Sequence, residues 1–431
     1  MNTNLNKYLI RSVSLGLIGA MSLGFCSCSK VKSKKNSGKP ADYGSYGAEF
    51  ARNFAGQFPF RTAGSEQEKA AGQKIEEELK SFGYDVTVQP VGGKSANYFI
   101  KREGKGIYTE NEDGSFELSK RTVVIGAHYD SFMKKKDVPE DHSYDGIDDN
   151  ASGVAAAMTV AKKLAEYDDN PFDVYVVFFA SSGKEFAGAK TFAESLPADA
   201  RKSLEAMYCI DSIYAGDKMY ASSGYSSLNS SRKYELRRKI YQAYDVAYEN
   251  TLNSLYGYNL LYNESGISYD ANGDGTEDNF REIPLNISDY KVFDDMGIPV
   301  VYLESFEYNA ETAEEMIDTK NLNLQEFQGK IRKTALDSQI VLDPLINAEK
   351  ISARKKKKVT ETTQADGASS ESSAETTEEE KPKDVLEIRV NCTAFVILES
   401  MMLGSDAGMT EAQYKEYLAN QLVAETSESS N

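Results

Sequence analysis

Residues Arg121 to Gly153 read RTVVIGAHYDSFMKKKDVPEDHSYDGIDDNASG, and the parsing of this stretch decides the fold. Val123 to Ile125 is apolar and β-branched, the composition of a strand buried inside a mixed or parallel sheet. His128 and Asp130 stand where that strand ends. A second loop then delivers Asp148, Asp149 and Asn150, and Ser152 opens an alanine-rich helical stretch, Val154 to Ala165. Open α/β sheets place their sites at strand ends and in the loops after them. One imidazole and several carboxylates meeting there point to a divalent metal.

The flanks extend the same pattern. DVYVVFFA, Asp173 to Ala180, is a continuous apolar run of strand length and belongs inside the sheet, with Ser181 to Gly183 just past its end. A helix from about Ala187 to Ser195 and a strand from Ala206 to Ile210 complete a βαβ rhythm, which brings Asp211 to the strand end beside Asp148. Upstream, Ser65 and Glu68 form a capping box before a helix whose Ala71, Ile75 and Leu79 share one face. Asp85 to Val91 reads as a strand and residues 95–104 as a second one at the sheet's edge. A long helix over 231–250 and a buried strand, Ile298 to Leu303, follow. The expected architecture is three-layer α/β: one domain over residues 46–347, with a mixed, mostly parallel sheet flanked by helices.

The two ends are of other kinds. Residues 1–27 carry Lys7 and Arg11 ahead of an apolar run too short to span a bilayer comfortably, as a secretory signal does. The sequence LGFCSCSK resembles a bacterial lipoprotein signal, with Cys28, behind the small Ser27, as the lipidated residue. Residues 28–45 then read as a tether, and the expected location is the extracytoplasmic face of a cell membrane. Residues 348–383 run from RKKKK into an acidic tract without large apolar residues, for which disorder is predicted. Residues 384–424 are apolar enough at their start to dock back on the domain as a helix. With 49 Lys and Arg against 67 Asp and Glu, nucleic-acid binding through a basic surface is excluded. Cys209 and Cys392 read as two buried thiols.

The motifs GAHYDS, GIDDNASG, the strand into ASSGKEFAGA, and CIDS together resemble the zinc aminopeptidases and glutaminyl cyclases of peptidase family M28, over about Phe60 to Leu322. The resemblance implies two zinc ions bridged by one aspartate. Matched motif to motif, His128 and Asp211 would hold one zinc, Asp148 would bridge, and Asp130 would orient His128. The same resemblance implies two adjacent glutamates after the DVYVVFFA strand, a general base and a ligand of the other zinc. Ser182 and Gly183 stand there instead. Serine is no base near neutral pH, and glycine has no side chain to bind anything. The last zinc ligand, a histidine before an Asp-Thr pair, is also missing: before Asp318 and Thr319 the nearest residue to its place is Glu314, and the family's SDH is Ser288, Asp289 and Tyr290.

The sequence therefore supports a binding domain with one divalent ion, zinc, directed at peptide or protein amino termini, with weak or absent hydrolysis. Two alternatives stand beside it. One is an active aminopeptidase rebuilt with Glu185 as base and with Glu314 or His142 as substitute ligands; the other is glutaminyl cyclase chemistry, which needs the same missing carboxylate. A separate signal, DANGDGTED, places Asp270, Asn272, Asp274, Thr276 and Asp278 at calcium-loop spacing with Gly275 at position six. Position twelve is Arg281 where a calcium loop has glutamate.

Overall fold

The structure is a computed structural model, and it describes residues 38–431 apart from 168–169, 229, 263–267, 271–272, 280, 307–311, 313–323, 348–383, 404–407 and 429–431, with the backbone alone for 423–428. The signal, Cys28, most of the tether, the acidic tract, Glu314, Asp318, Thr319 and Asn272 lie outside the described residues.

Eight strands form the main sheet: β1 (Thr87–Gly92), β2 (Ser95–Arg102), β3 (Thr122–His128), β4 (Asp173–Phe179), β5 (Leu204–Ile210), β6 (Lys218–Ser222), β7 (Leu260–Leu261) and β8 (Val300–Phe306). Their spatial order is β1-β2-β4-β3-β5-β8-β6-β7. The central four, β4-β3-β5-β8, are mutually parallel. β2 joins β4, and β6 joins β8, antiparallel. The sheet is mixed and mostly parallel, as the sequence implied. One strand sits elsewhere than expected: β2 is interior, because the hairpin at Gly92 and Gly93 folds β1 outside it as the edge.

Strand periodicity divides the side chains between two apolar layers. Val123, Ile125 and Ala127 of β3, with Val174, Val176 and Phe178 of β4, join one core, while Val124, Tyr175, Val177 and Phe179 join the other. The first layer is covered by helices α1 (Tyr46–Gln57), α2 (Glu66–Ser81), α3 (Gly153–Leu164), α5 (Lys233–Glu249) and α7 (Val385–Met402). The second is covered by α4 (Ala187–Ser195) and α6 (Tyr290–Asp295).

α7 is apolar on nearly every side because it is enclosed between α1, α3 and α5. Gly47 of α1 allows the approach, since a Cβ there would lie 2.4 Å from Val390 Cγ1. Its one buried cation, Arg389, donates to the carbonyl oxygens of Ile213 (3.3 Å), Gly216 (2.8 Å) and Asp217 (2.9 Å), fixing the loop after β5. A last helix, α8 (Glu411–Glu428), stacks Tyr414 on Tyr108 of a small hairpin. Ordered structure starts before residue 46: a short turn, Pro40–Tyr43, buries Tyr43. Cys209 and Cys392 are free and buried. Among the described residues no helix is long and apolar enough to cross a membrane.

Because α7 is core rather than appendage, Phe395→Ala, at a site 1 % exposed, is expected to cost about 3–5 kcal/mol. Equilibrium urea unfolding, followed by far-UV circular dichroism as one transition, measures it.

Candidate metal centre

The carboxyl ends of the four parallel strands meet at one edge of the sheet. β3 ends in His128, and Asp211 follows β5 directly. Ser182 and Gly183 follow β4, and Glu304 lies within β8. All but Gly183 are almost wholly buried.

The structure groups three donors: His128, Asp149 and Asp211, whose ligand atoms lie within 4.8 Å of one another. His128 Nε2 is 3.3 Å from Asp149 Oδ1 and 3.5 Å from Asp211 Oδ1. Tetrahedral zinc, with bonds of about 2.0–2.1 Å, sets its donors about 3.3 Å apart. His128 Nε2 and Asp149 Oδ1 are buried without a hydrogen-bond partner. Nδ1 lies 3.1 Å from the carbonyl oxygen of Asp130, which can only accept, so Nδ1 carries a proton and a metal ion that displaces the proton at Nε2 would meet the lone pair there. The set fits one zinc ion.

Asp149, not Asp148, occupies the position expected for the second aspartate. Asp148 turns away: its Oδ1 accepts from the backbone amides of Tyr214 and Ala215, each at 2.9 Å. Adjacent side chains of this loop face different ways, and the sequence DD gives no means of choosing between them. Asp337 holds the loop by accepting the amides of both Asp148 (2.8 Å) and Asp149 (3.1 Å). Asn150 ties two strand ends together, donating to the carbonyl oxygens of His128 (3.2 Å) and Ile210 (2.9 Å). Arg61, fully buried, donates to the carbonyl oxygens of Tyr129, Asp145 and Gly146 and so pins the start and end of the intervening segment.

The loop after β4 is held by other acids. Asp130 backs His128, with its Oδ1 3.6 Å from Nδ1, and accepts the amides of Ser182 (2.9 Å) and Gly183 (3.0 Å). Only half of the expected capping box forms at Ser65. Its hydroxyl accepts from Glu68 N, but Glu68 itself is buried and accepts from Gly64 N, Ser95 Oγ and Ser181 N. Ser182 Oγ donates to Asp289 Oδ2 at 2.8 Å, and burial pushes the Asp289 carboxyl up to about 7.

The expected substitutes do not reach the centre. Glu185 is 93 % exposed and faces Lys190. His142 bridges Asp141 (2.8 Å) and Glu326 (2.6 Å) at the surface. In the calcium-like loop, the Asp270 carboxylate accepts the amides of Gly273, Asp274 and Gly275, and Asp274 accepts Thr276 N. Asp278 pairs with Tyr269 in a two-residue ladder. The described part of this segment is an Asp/Gly-rich turn held by side-chain-to-amide bonds.

The sequence reading missed one central residue. Arg332 places Nε 3.2 Å from Asp149 Oδ2, Nη2 2.5 Å from Asp211 Oδ2 and Nη1 3.7 Å from Glu304 Oε2. Nothing in GKIRKTAL marks it. Glu304 had a signal, since an acid directly continuing a buried apolar strand needs a partner. Ser288 Oγ (2.7 Å) and Tyr302 Oη (3.3 Å) also donate to Asp211 Oδ2, while Asn286 Nδ2 (2.7 Å) donates to Glu304.

Titration follows from these contacts. Burial would lower His128, but the carboxylates of Asp211, Asp130 and Asp149 around the ring hold it well above its usual value. Against its own burial, Asp211 is held well below the usual carboxylate range by Arg332 and His128. Burial dominates at Glu304, raised to about 8, and at Asp148, raised to about 6.

Residues 110–333, more than half of the chain, match the sequence pattern of Peptidase family M28. The chain belongs to peptidase family M28. It is 24 % identical over 303 residues to the alkaline phosphatase isozyme conversion protein of Escherichia coli, covering 67 % of this chain and 79 % of that one. The glutaminyl cyclase of Tannerella forsythia shares the fold at a TM-score of 0.50 with 13 % identity, covering 84 % of this chain and 98 % of that one. A leucine aminopeptidase precursor from Bacteroides thetaiotaomicron aligns at a TM-score of 0.46 with 12 % identity over 84 % and 97 % of the two chains. Within the M28 fold, one three-ligand group that could hold a metal ion is found among the described residues.

Two outcomes follow for purified protein. Asp149→Asn is expected to weaken zinc binding by at least about 100-fold, since it removes a ligand where even an outer partner is worth ~10–100-fold; Asp148→Asn keeps zinc near wild-type affinity, both read by isothermal titration. In chelator, stability falls as pH rises from about 6 to 9, because His128 and Glu304 hold protons in the folded chain that the unfolded chain has released. Thermal melts across that range measure the slope, and Glu304→Gln flattens it.

Proposed function

We propose that this chain is an exported, lipid-anchored M28 domain that holds one zinc ion and binds peptides or proteins by their amino termini, with little or no hydrolysis. The observation that carries the reading is the asymmetry of the centre. Three donors stand at one-ion spacing on one side, while Ser182 and Gly183 stand where a base and a second ligand are needed. Zinc held by His128, Asp149 and Asp211 would supply a Lewis acid with a coordination place left open.

The chain's own residues bind and orient rather than move protons. Asp130 fixes the His128 ring from behind and anchors the loop after β4. Ser182 has its hydroxyl proton committed to Asp289, and Gly183 has no side chain to ligate an ion. Loss of the base alone lowers a rate about 10²–10⁴-fold. An amine or carbonyl oxygen at a peptide's amino end suits the open place, and membership of a peptidase family supports that class. Export and the lipid on Cys28 rest on the sequence pattern.

A second reading, a working hydrolase or cyclase, is favoured by one contact. Asp289 is buried beside Ser182 with a carboxyl titrating near 7, a value suited to acid–base work. A panel of peptides tests both readings. Zinc-loaded protein is expected to bind peptides with free amino termini, to ignore their acetylated forms and to turn over neither, and His128→Ala loses the binding. A Gly183 Cβ would have only ordinary contacts at 3.4 Å, so Ser182→Glu with Gly183→Glu is a fair test of whether the missing groups limit the chemistry. Wild-type turnover abolished by Asp289→Asn would establish the second reading instead.

A further inference from the structure

We propose that Arg332 is a tethered second cation, which limits the centre to one exchangeable ion and lets it exist folded without any. The inference rests on the one-ion reading above.

The oxygens of two carboxylates are divided between two sides. Asp149 and Asp211 turn their Oδ1 atoms toward His128 Nε2, at 3.3 and 3.5 Å. Both turn their Oδ2 atoms toward the guanidinium of Arg332, at 3.2 and 2.5 Å. Glu304 closes the third side of the guanidinium at 3.7 Å. All three acids are 1 % exposed or less, and Arg332 itself is 5 % exposed. Two carboxylates so close and so dry repel one another and have lost hydration, and they persist only beside positive charge.

A metal ion can supply that charge only while it is bound. A guanidinium is permanently protonated, and its planar fork engages two carboxylates at once. Neutral donors complete the cage: Ser288 and Tyr302 on Asp211, and Asn286 on Glu304. A second divalent ion that sought the Oδ2 atoms would have to displace a side chain packed among them, and it would meet like charge. Zinc on the His128 side shares both carboxylates with the arginine, so its affinity is lower than an unopposed set of these ligands would give.

The test uses the full chain as wild type, Arg332→Gln and Arg332→Lys, with zinc chloride as the probe. Wild type is expected to take up one zinc per chain by elemental analysis and titration calorimetry, and to melt cooperatively in chelator. Arg332→Gln is expected to melt about 10 °C lower in chelator, the effect of stranding a buried pair in a chain of this size. With zinc it recovers most of that loss, and it binds the ion at least about 10-fold more tightly or takes a second one. Arg332→Lys keeps the charge and stays within a few degrees of wild type in chelator. Two zinc ions in wild type, or an Arg332→Gln protein equal to wild type in chelator melt, stoichiometry and affinity, would overturn the proposal. Should Arg332→Gln not fold, Arg332→Lys decides: folding without zinc supports a charge role, and failing as well shows that packing alone is at stake. Wild type that binds no zinc while Arg332→Gln is still destabilised in chelator would end the one-ion reading and leave the arginine's role standing.

Discussion

Negative charge buried at the ends of parallel strands is the constraint on which this molecule depends. Asp149, Asp211 and Glu304 are brought together by β-sheet geometry at a depth where water does not reach them. Such acids are tolerable only when every oxygen has a proton, a donor or a cation. The chain meets that demand with His128 on one side, Arg332 on the other and neutral donors between. The opposing titrations of Asp211, held low by two cations, and Glu304, raised by burial, show how the charge is apportioned.

The surrounding loops are held by the same logic carried outward. Asp337 accepts two amides of the GIDDNASG loop, Asn150 of that loop donates to the carbonyls of His128 and Ile210 at two strand ends, Asp130 accepts the amides after β4, and Arg389 reaches from α7 to the loop after β5. These side chains are buried and polar because the backbone of a loop, unlike that of a strand, has no neighbour to satisfy it. A helix from the far end of the chain thereby steadies a loop that carries an ion ligand. Core packing and site geometry are one structure here.

Membership of peptidase family M28 gives the scaffold, and the departures from it fall on one half of the site. Ser182 and Gly183 stand in the loop after β4 where the family resemblance implies two carboxylates, and Arg332 supplies a cation to Asp149 and Asp211. Neutral residues at those two positions and a guanidinium beside Asp149 and Asp211 both leave less negative charge to be balanced by a bound ion. A centre so composed needs fewer bound ions to be neutral.

Much of this was legible in the chain itself. Runs such as VVI and DVYVVFFA can only be strands buried on both faces, alternation with helices orders them as parallel, and so His128 and Asp211 must arrive at a common edge. The loss of the base was equally plain, because an absent side chain can be read directly from Ser182 and Gly183. Three things were decided only by the tertiary structure. Which of two adjacent aspartates faces the ion depends on backbone torsions in one loop, which identical neighbouring letters do not encode. That β2 lies inside the sheet depends on a hairpin's direction. Arg332 lies 121 residues from Asp211 in sequence, and a lone arginine outside any periodic pattern carries no mark of its partners; its meaning comes from the fold that closes over it.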